Sequence, residues 1–203
     1  RNHQVSDLPF SSLDSSKPEA LWRFLQQERA QGKIAMAIPH NANFSQGNMY
    51  AAYDSEGNRL NAAYAQLRNR FEPISEILQI KGASETHPLL SPQDEFADFE
   101  ILKTSMINPE ITTENARGSY ARDALRMGME LNHQEGFNPF KFGVIGSSDS
   151  HNASSPADEA NYTGKLPLLD GSAGLRTNQA LLLPDELNAA SSWGSGGLAA
   201  VWA

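Results

Sequence analysis

The chemistry of this chain gathers in one stretch, Phe140-Lys141-Phe142-Gly143-Val144-Ile145-Gly146-Ser147-Ser148-Asp149-Ser150-His151-Asn152. An apolar run bounded by turn residues predicts a buried strand that starts at Phe140. A carboxylate and an imidazole follow it, two residues apart, and an extended backbone would set them on one side. Asp149 and His151 at that spacing could grip one divalent ion. The plainer alternative makes Asp149 a turn cap and His151 a surface loop residue.

Two earlier stretches have the same form. Ile34-Ala35-Met36-Ala37-Ile38 is apolar throughout and ends in Pro39-His40-Asn41-Ala42-Asn43. Such a run predicts a strand covered on both faces, as in parallel sheets. Glu76-Ile77-Leu78-Gln79-Ile80-Lys81-Gly82 alternates like a second strand and runs into Ala83-Ser84-Glu85-Thr86-His87-Pro88. Three of the five histidines therefore lie just after predicted strands. In parallel α/β folds the carboxyl ends of the strands form one rim, where sites are built. On that rim His40, Asp149 and His151 would hold metal. Glu85 or His87 would add a ligand or move a proton. Lys81, Asn41 and Asn43 would meet an anionic substrate.

Helices must position those strand ends. Ser16, Pro18 and Glu19 predict a helix start, with Leu21, Trp22, Leu25 and Ala30 on its inner face and Gly32 as its stop. Leu60 to Phe71 predicts a second helix ended by Pro73. Ser119 to Gln134 is the clearest, closed by Gly136, with Arg122, Asp123, Arg126 and Glu130 as a solvated face and His133 set against the helix dipole. A short helix is expected within Ser91 to Phe99, and a turn from Asn108 to Asn115. The organisation predicted is a single α/β domain over residues 1–203: an arm at 1–16, strand and helix units carrying the site at 17–151, a long loop region at 152–197 and a final strand at 198–203.

The bulk properties exclude several classes. With 203 residues the chain can bury one full core. A net charge of -8 with scattered basic residues argues against a nucleic-acid surface. No apolar run approaches the length of a membrane span. There is no cysteine, so disulfides and thiolate metal sites are excluded. That leaves the compartment open, with periplasmic or secreted placement fitting as well as cytoplasmic. No Gly-x-Ser-x-Gly elbow and no glycine-rich nucleotide loop occurs. The start at Arg1 and the strand-like ending suggest a piece of a longer protein.

Five segments carry a resemblance: Ile38–Asn43, Ile80–Pro88 with Asp94–Glu100, Tyr120–Leu125, Asn138–Asn152 and Gly197–Ala203. Together they resemble an uncharacterised, mainly bacterial family that is itself similar to the PHP (polymerase and histidinol phosphatase) metallohydrolases. The resemblance implies part of a distorted, TIM-related α/β barrel whose cleft binds two or three Zn, Mn or Fe ions and hydrolyses phosphoesters. It implies His40, Asp149 and His151 as ligands and a small anionic ester as substrate. It also implies that a His-x-His strand, absent here, belongs to a missing N-terminal segment of the same barrel. A homo-oligomer is compatible with the sequence. Two other functions remain open: a non-catalytic binding or scaffold module with a degenerate metal site, and a metal-dependent amidohydrolase.

Overall fold

The computed structural model describes residues 8–102 and 111–151, together with Ser6 and residues 196–197. His3 and most of the loop region after His151, including Ala180-Leu181-Leu182-Leu183-Pro184, lie outside the described residues, as does the closing strand.

The three main helices form where periodicity and end signals agree. Helix α1 (Pro18–Ala30) has proline at its start, Glu19 in its first turn and Arg29 in its last. It turns Trp22 and Leu25 inward against Phe71. Helix α2 (Ala62–Phe71) is capped by Asn61, whose side chain accepts the Tyr64 N–H. Helix α3 (Thr113–Ala116) is one turn with a Thr112/Asn115 capping box, where the sequence predicts only a turn. Helix α4 (Ala121–Glu135) ends on Gly136 in the left-handed conformation. Residues 91–99 make consecutive turns and no helix. Asp94 Oδ1 accepts the Phe96 N–H there, a local bond that competes with helix formation.

The sheet has three strands, β1 (Ile74–Gln79), β2 (Gly82–Ala83) and β3 (Gly143–Gly146), in the order β2-β1-β3. β1 and β3 run parallel, with Ile74 opposite Gly143 and an irregularity between Glu76 and Leu78. β1 and β2 are antiparallel and pair Leu78 with Ala83 and Gln79 with Gly82. The second predicted strand is therefore a hairpin, and Ile80 and Lys81 form its tip. Helices packed with a mixed sheet make the chain broadly α/β. No closed barrel is present among the described residues.

The apolar run Ile34–Ile38 corrects the sequence reading. It is extended and flanks β1: the Ala37 N–H donates to Phe71 O at 2.8 Å and the Glu76 N–H to Pro39 O at 2.9 Å. Both contacts advance in the same sense, so the flank runs parallel to β1. It does not become a strand, because Pro39 has no N–H to continue a ladder. Nor is it covered on both faces. Ala35 and Ala37 pack toward Trp22, while Ile34, Met36 and Ile38 are exposed. β3 is likewise shorter than predicted and is not buried. Phe140 is in the core before the strand begins, and Val144 is half exposed.

Two apolar clusters fill the interior. One holds Ala42, Tyr50, Leu60, Ala124 and Phe140; the other holds Trp22, Leu25 and Phe71. Tyr64 packs against both. The flank, β1 and β3 thus rest on helices and present their carboxyl ends together.

Candidate functional site

Three carboxyl ends meet at this edge. The flank delivers Asn41 and Asn43, the β1 hairpin delivers Gln79 and Lys81, and the turn after β3 delivers Ser147, Asp149 and His151. Lys81 Nζ lies 2.5 Å from Asp149 Oδ2, and both side chains are less than one-fifth exposed. His151 Nε2 lies 3.5 Å from Asp149 Oδ1, with the ring half exposed. A bend brings that pair together, since Asp149 adopts φ +53° and the backbone is not extended there. Asn41, at φ +57°, is also left-handed. Asn and Asp tolerate this region better than most side chains, and a carboxyl-end turn exploits it.

Side-chain amides hold the hairpin tip. Gln79, almost fully buried, accepts the Lys81 N–H at 2.9 Å and donates to Asn41 Oδ1 at 2.7 Å. Asn43 Nδ2 donates to Lys81 O at 3.0 Å, and its Oδ1 accepts from Ser84 Oγ at 2.9 Å. Beneath the turn, the buried carboxylate of Glu76 accepts from Ser147 Oγ, while its Oε1 meets no partner among the described residues. The Ser147 N–H also donates to Leu78 O, and Ser147 O accepts the Gly197 N–H.

The other residues singled out in the sequence lie elsewhere. His40 is exposed, its Nδ1 3.3 Å from Ile38 O. Among the described residues, no three His, Asp or Glu side chains gather closely enough to hold a metal ion. Glu85 and Asp94 each take a nitrogen of Arg122 at 2.5 Å. Arg122 is therefore a tie between segments as well as a solvated helix residue, and it holds the Asp94 carboxyl below its ordinary range. His87 is buried against Tyr120, ring centroids 5.5 Å apart. Its Nδ1 accepts the Leu89 N–H at 3.2 Å, so the ring proton sits on Nε2. Burial holds His87 below its ordinary pKa and pushes Tyr120 up to about 12. His87 and Tyr120 are a neutral, packed pair.

Sequence reasoning passed over Glu76, Gln79 and Ser147. The first two carry a signal: each is a polar side chain at a buried position of an otherwise apolar strand, and burial of such groups calls for a partner.

Over residues 1–203 the chain matches the family described as Protein of unknown function (DUF3604), and it belongs to that family. Neither the curated proteins nor the solved structures contain a match to it. This corrects the PHP resemblance: the family matched is not a PHP phosphoesterase family, and no PHP family is matched. The missing His-x-His segment was an implication of that kinship and is withdrawn with it. No helix among the described residues is long and apolar enough to cross a membrane.

Proposed function

We propose that this member of the DUF3604 family hydrolyses a small anionic ester, a phosphoester first of all, with help from a divalent metal at its strand ends. The Lys81–Asp149–His151 line carries the reading. A carboxylate already seated against a cation, with an imidazole nitrogen 3.5 Å from it, is a donor pair suited to Zn, Mn or Fe. These two donors fit one edge of a coordination shell. A barrel-like rim that brings His40 to them, and that carries two or three ions, is part of the proposal.

Asp149 and His151 would hold the ion. Bound there, it would lower the pKa of a water toward ~7 and polarise the ester oxygens. Lys81 supplies positive charge for the substrate anion, since its ammonium already lies at the edge of the site. Asn43 keeps that lysine in place through Lys81 O. Glu85 and His87 take no step. The first is paired with Arg122 and the second is buried as a neutral ring.

A second reading, a non-catalytic binding module, is favoured by one observation: the described residues bring together two of the expected donors and not three. Elemental analysis of purified protein, beside a hydrolysis assay on a simple aryl phosphate, separates the two. Hydrolysis predicts bound transition metal in the wild type and loss of both metal and activity in Asp149→Ala. Metal and activity retained in Asp149→Ala would remove Asp149 from the site. A wild type free of metal and inactive on phosphate esters would leave the binding module.

A further inference from the structure

We infer that Gln79 is a positioning residue that orients the Asn41 amide, so that Asn41 Nδ2 is presented as a hydrogen-bond donor to an anionic ligand beside Lys81. This rests on the reading of the strand ends as a site for an anionic substrate, and it names which neutral group recognises the anion.

Donor and acceptor polarity fixes the orientation of both amides. A backbone N–H can only donate, so the Gln79 atom that meets the Lys81 N–H at 2.9 Å must be the carbonyl oxygen. The other end of the same amide is then NH2, which can only donate. It meets Asn41 at 2.7 Å, so the Asn41 atom there must be the oxygen. Asn41 is left with its NH2 group free of any partner among the described residues. The orientation of both amides therefore follows from one fixed backbone donor and needs no choice between nitrogen and oxygen.

The surroundings keep this relay rigid. Gln79 is 2% exposed, so water does not compete for its amide. Asn41 is only part-buried, and its backbone is pinned in the left-handed region at the start of the Ala42–Phe44 turn. Asn43, by contrast, has committed its amide on both sides, to Lys81 O and Ser84 Oγ. Of the two asparagines named from the sequence, Asn41 keeps both N–H groups for a ligand, whereas Asn43 has already given one to Lys81 O. An acceptor such as a phosphate or carboxylate oxygen matches a fixed N–H at the edge that also carries Lys81, whose ammonium lies 2.5 Å from Asp149 Oδ2.

The test is titration of the full chain with inorganic phosphate, followed by calorimetry, for the wild type, Asn41→Gly, Gln79→Met, Gln79→Glu and the double variant Asn41→Gly/Gln79→Glu. Glycine suits the left-handed backbone at 41 and removes only the side chain. Methionine at 79 releases the Asn41 amide without adding charge. Glutamate at 79 accepts on both sides, so Asn41 must rotate its oxygen outward.

Asn41→Gly and Gln79→Glu are each expected to weaken phosphate binding about tenfold, the size of a lost hydrogen bond to a charged group, with Gln79→Met in between. In the Asn41→Gly background the change at 79 should then cost little more. A Gln79→Glu effect that persists undiminished there is charge repulsion alone and overturns the inference. So does phosphate binding that is absent in the wild type or unchanged in Asn41→Gly. If Gln79→Glu does not fold, Gln79→Met carries the same comparison, and an unchanged affinity in it overturns the role of Gln79. Metal content and ester hydrolysis, measured on the same samples, keep the parent reading separate. A wild type that binds phosphate through Asn41 but neither holds metal nor hydrolyses esters sinks the hydrolase and leaves Gln79 in place. A hydrolase indifferent to both substitutions sinks only Gln79.

Discussion

His87 and His151 stand in the same kind of sequence, an acid two residues ahead of a histidine after an apolar run, yet folding gives them opposite surroundings. His87 is 9% exposed and lies on the Tyr120 ring, so its charged form is disfavoured. The consequence for stability has a definite sign. In the unfolded chain His87 takes up a proton near its ordinary value of 6.5; in the folded chain it resists until lower pH. Its stabilising contribution is therefore complete above about 6.5 and is lost as pH falls from there toward the folded value. Melting temperatures between about pH 7.5 and about pH 5 should fall for the wild type and fall less for His87→Gln. Parallel curves would mean that other groups carry the acid sensitivity. The sequence shows residue types and spacing, and from these His40, Asp149 and His151 were expected as ligands on one rim with Lys81 nearby; the fold sets Lys81, Asp149 and His151 in a line and leaves His40 exposed. Burial was not legible, and it is burial that sets His87 apart, along with the Arg122 contact that engages Glu85.

At the scale of elements, the helices were readable because α1, α2 and α4 each join an apolar period to an end signal: Pro18, Pro73 and Gly136 mark boundaries near where they fall. Strands were less readable. An apolar run such as Ile34–Ile38 states that the chain is extended but not whether a ladder forms, and Pro39 decided against it. The β1–β2 hairpin was missed because Ile80-Lys81 has none of the Asn-Gly or Asp-Gly character that signals a two-residue turn. Its signal lies one residue later. Gly82 has φ +99°, and a Cβ there would come within 2.8 Å of Leu102 N and 3.0 Å of Glu100 O. Backbone strain and a backbone collision coincide, so Gly82→Ala should cost more than about 1 kcal/mol. It should also displace Lys81 at the hairpin tip and weaken its hold on Asp149. Urea unfolding gives the first quantity, and the phosphate titration above reports the second. A Gly82→Ala protein as stable as the wild type would show that the hairpin is free to relax.

At the scale of the whole molecule, the flank, β1 and β3 keep a common edge only if the two apolar clusters under them behave as one body. Arg68 is the group that joins them. Its guanidinium lies 4.9 Å from the centre of the Phe140 ring and 5.6 Å from that of Tyr50 in one cluster, and 6.0 Å from that of Trp22 in the other. It donates to Met49 O at 2.8 Å, and its Nε lies 3.0 Å from Glu72 Oε2. The indole N–H of Trp22 donates to Glu72 Oε1 at 2.8 Å. Removing the arginine strips a buried carboxylate of its counter-charge, which costs more than the pair itself contributes. Arg68→Met should therefore lower the unfolding free energy by about 3–5 kcal/mol, and Arg68→Met/Glu72→Leu should recover part of that loss. Urea unfolding followed by far-UV circular dichroism measures both. A single variant as stable as the wild type, or a double variant no better than the single, would mean that shape and not charge pairing joins the clusters. The single variant should also lose phosphate affinity although Arg68 touches none of Asn41, Gln79 or Lys81, because the elements that carry Asn41 and Gln79 pack on both clusters: Trp22 and Phe71 cover Ala35 and Ala37 of the flank, while Ala42, next to Asn41, and Tyr50, bonded to Ser75 of β1 at 2.6 Å, belong to the other. Loosening the seam lets those two elements shift against each other, and a relay built from bonds of 2.7 and 2.9 Å does not survive such a shift.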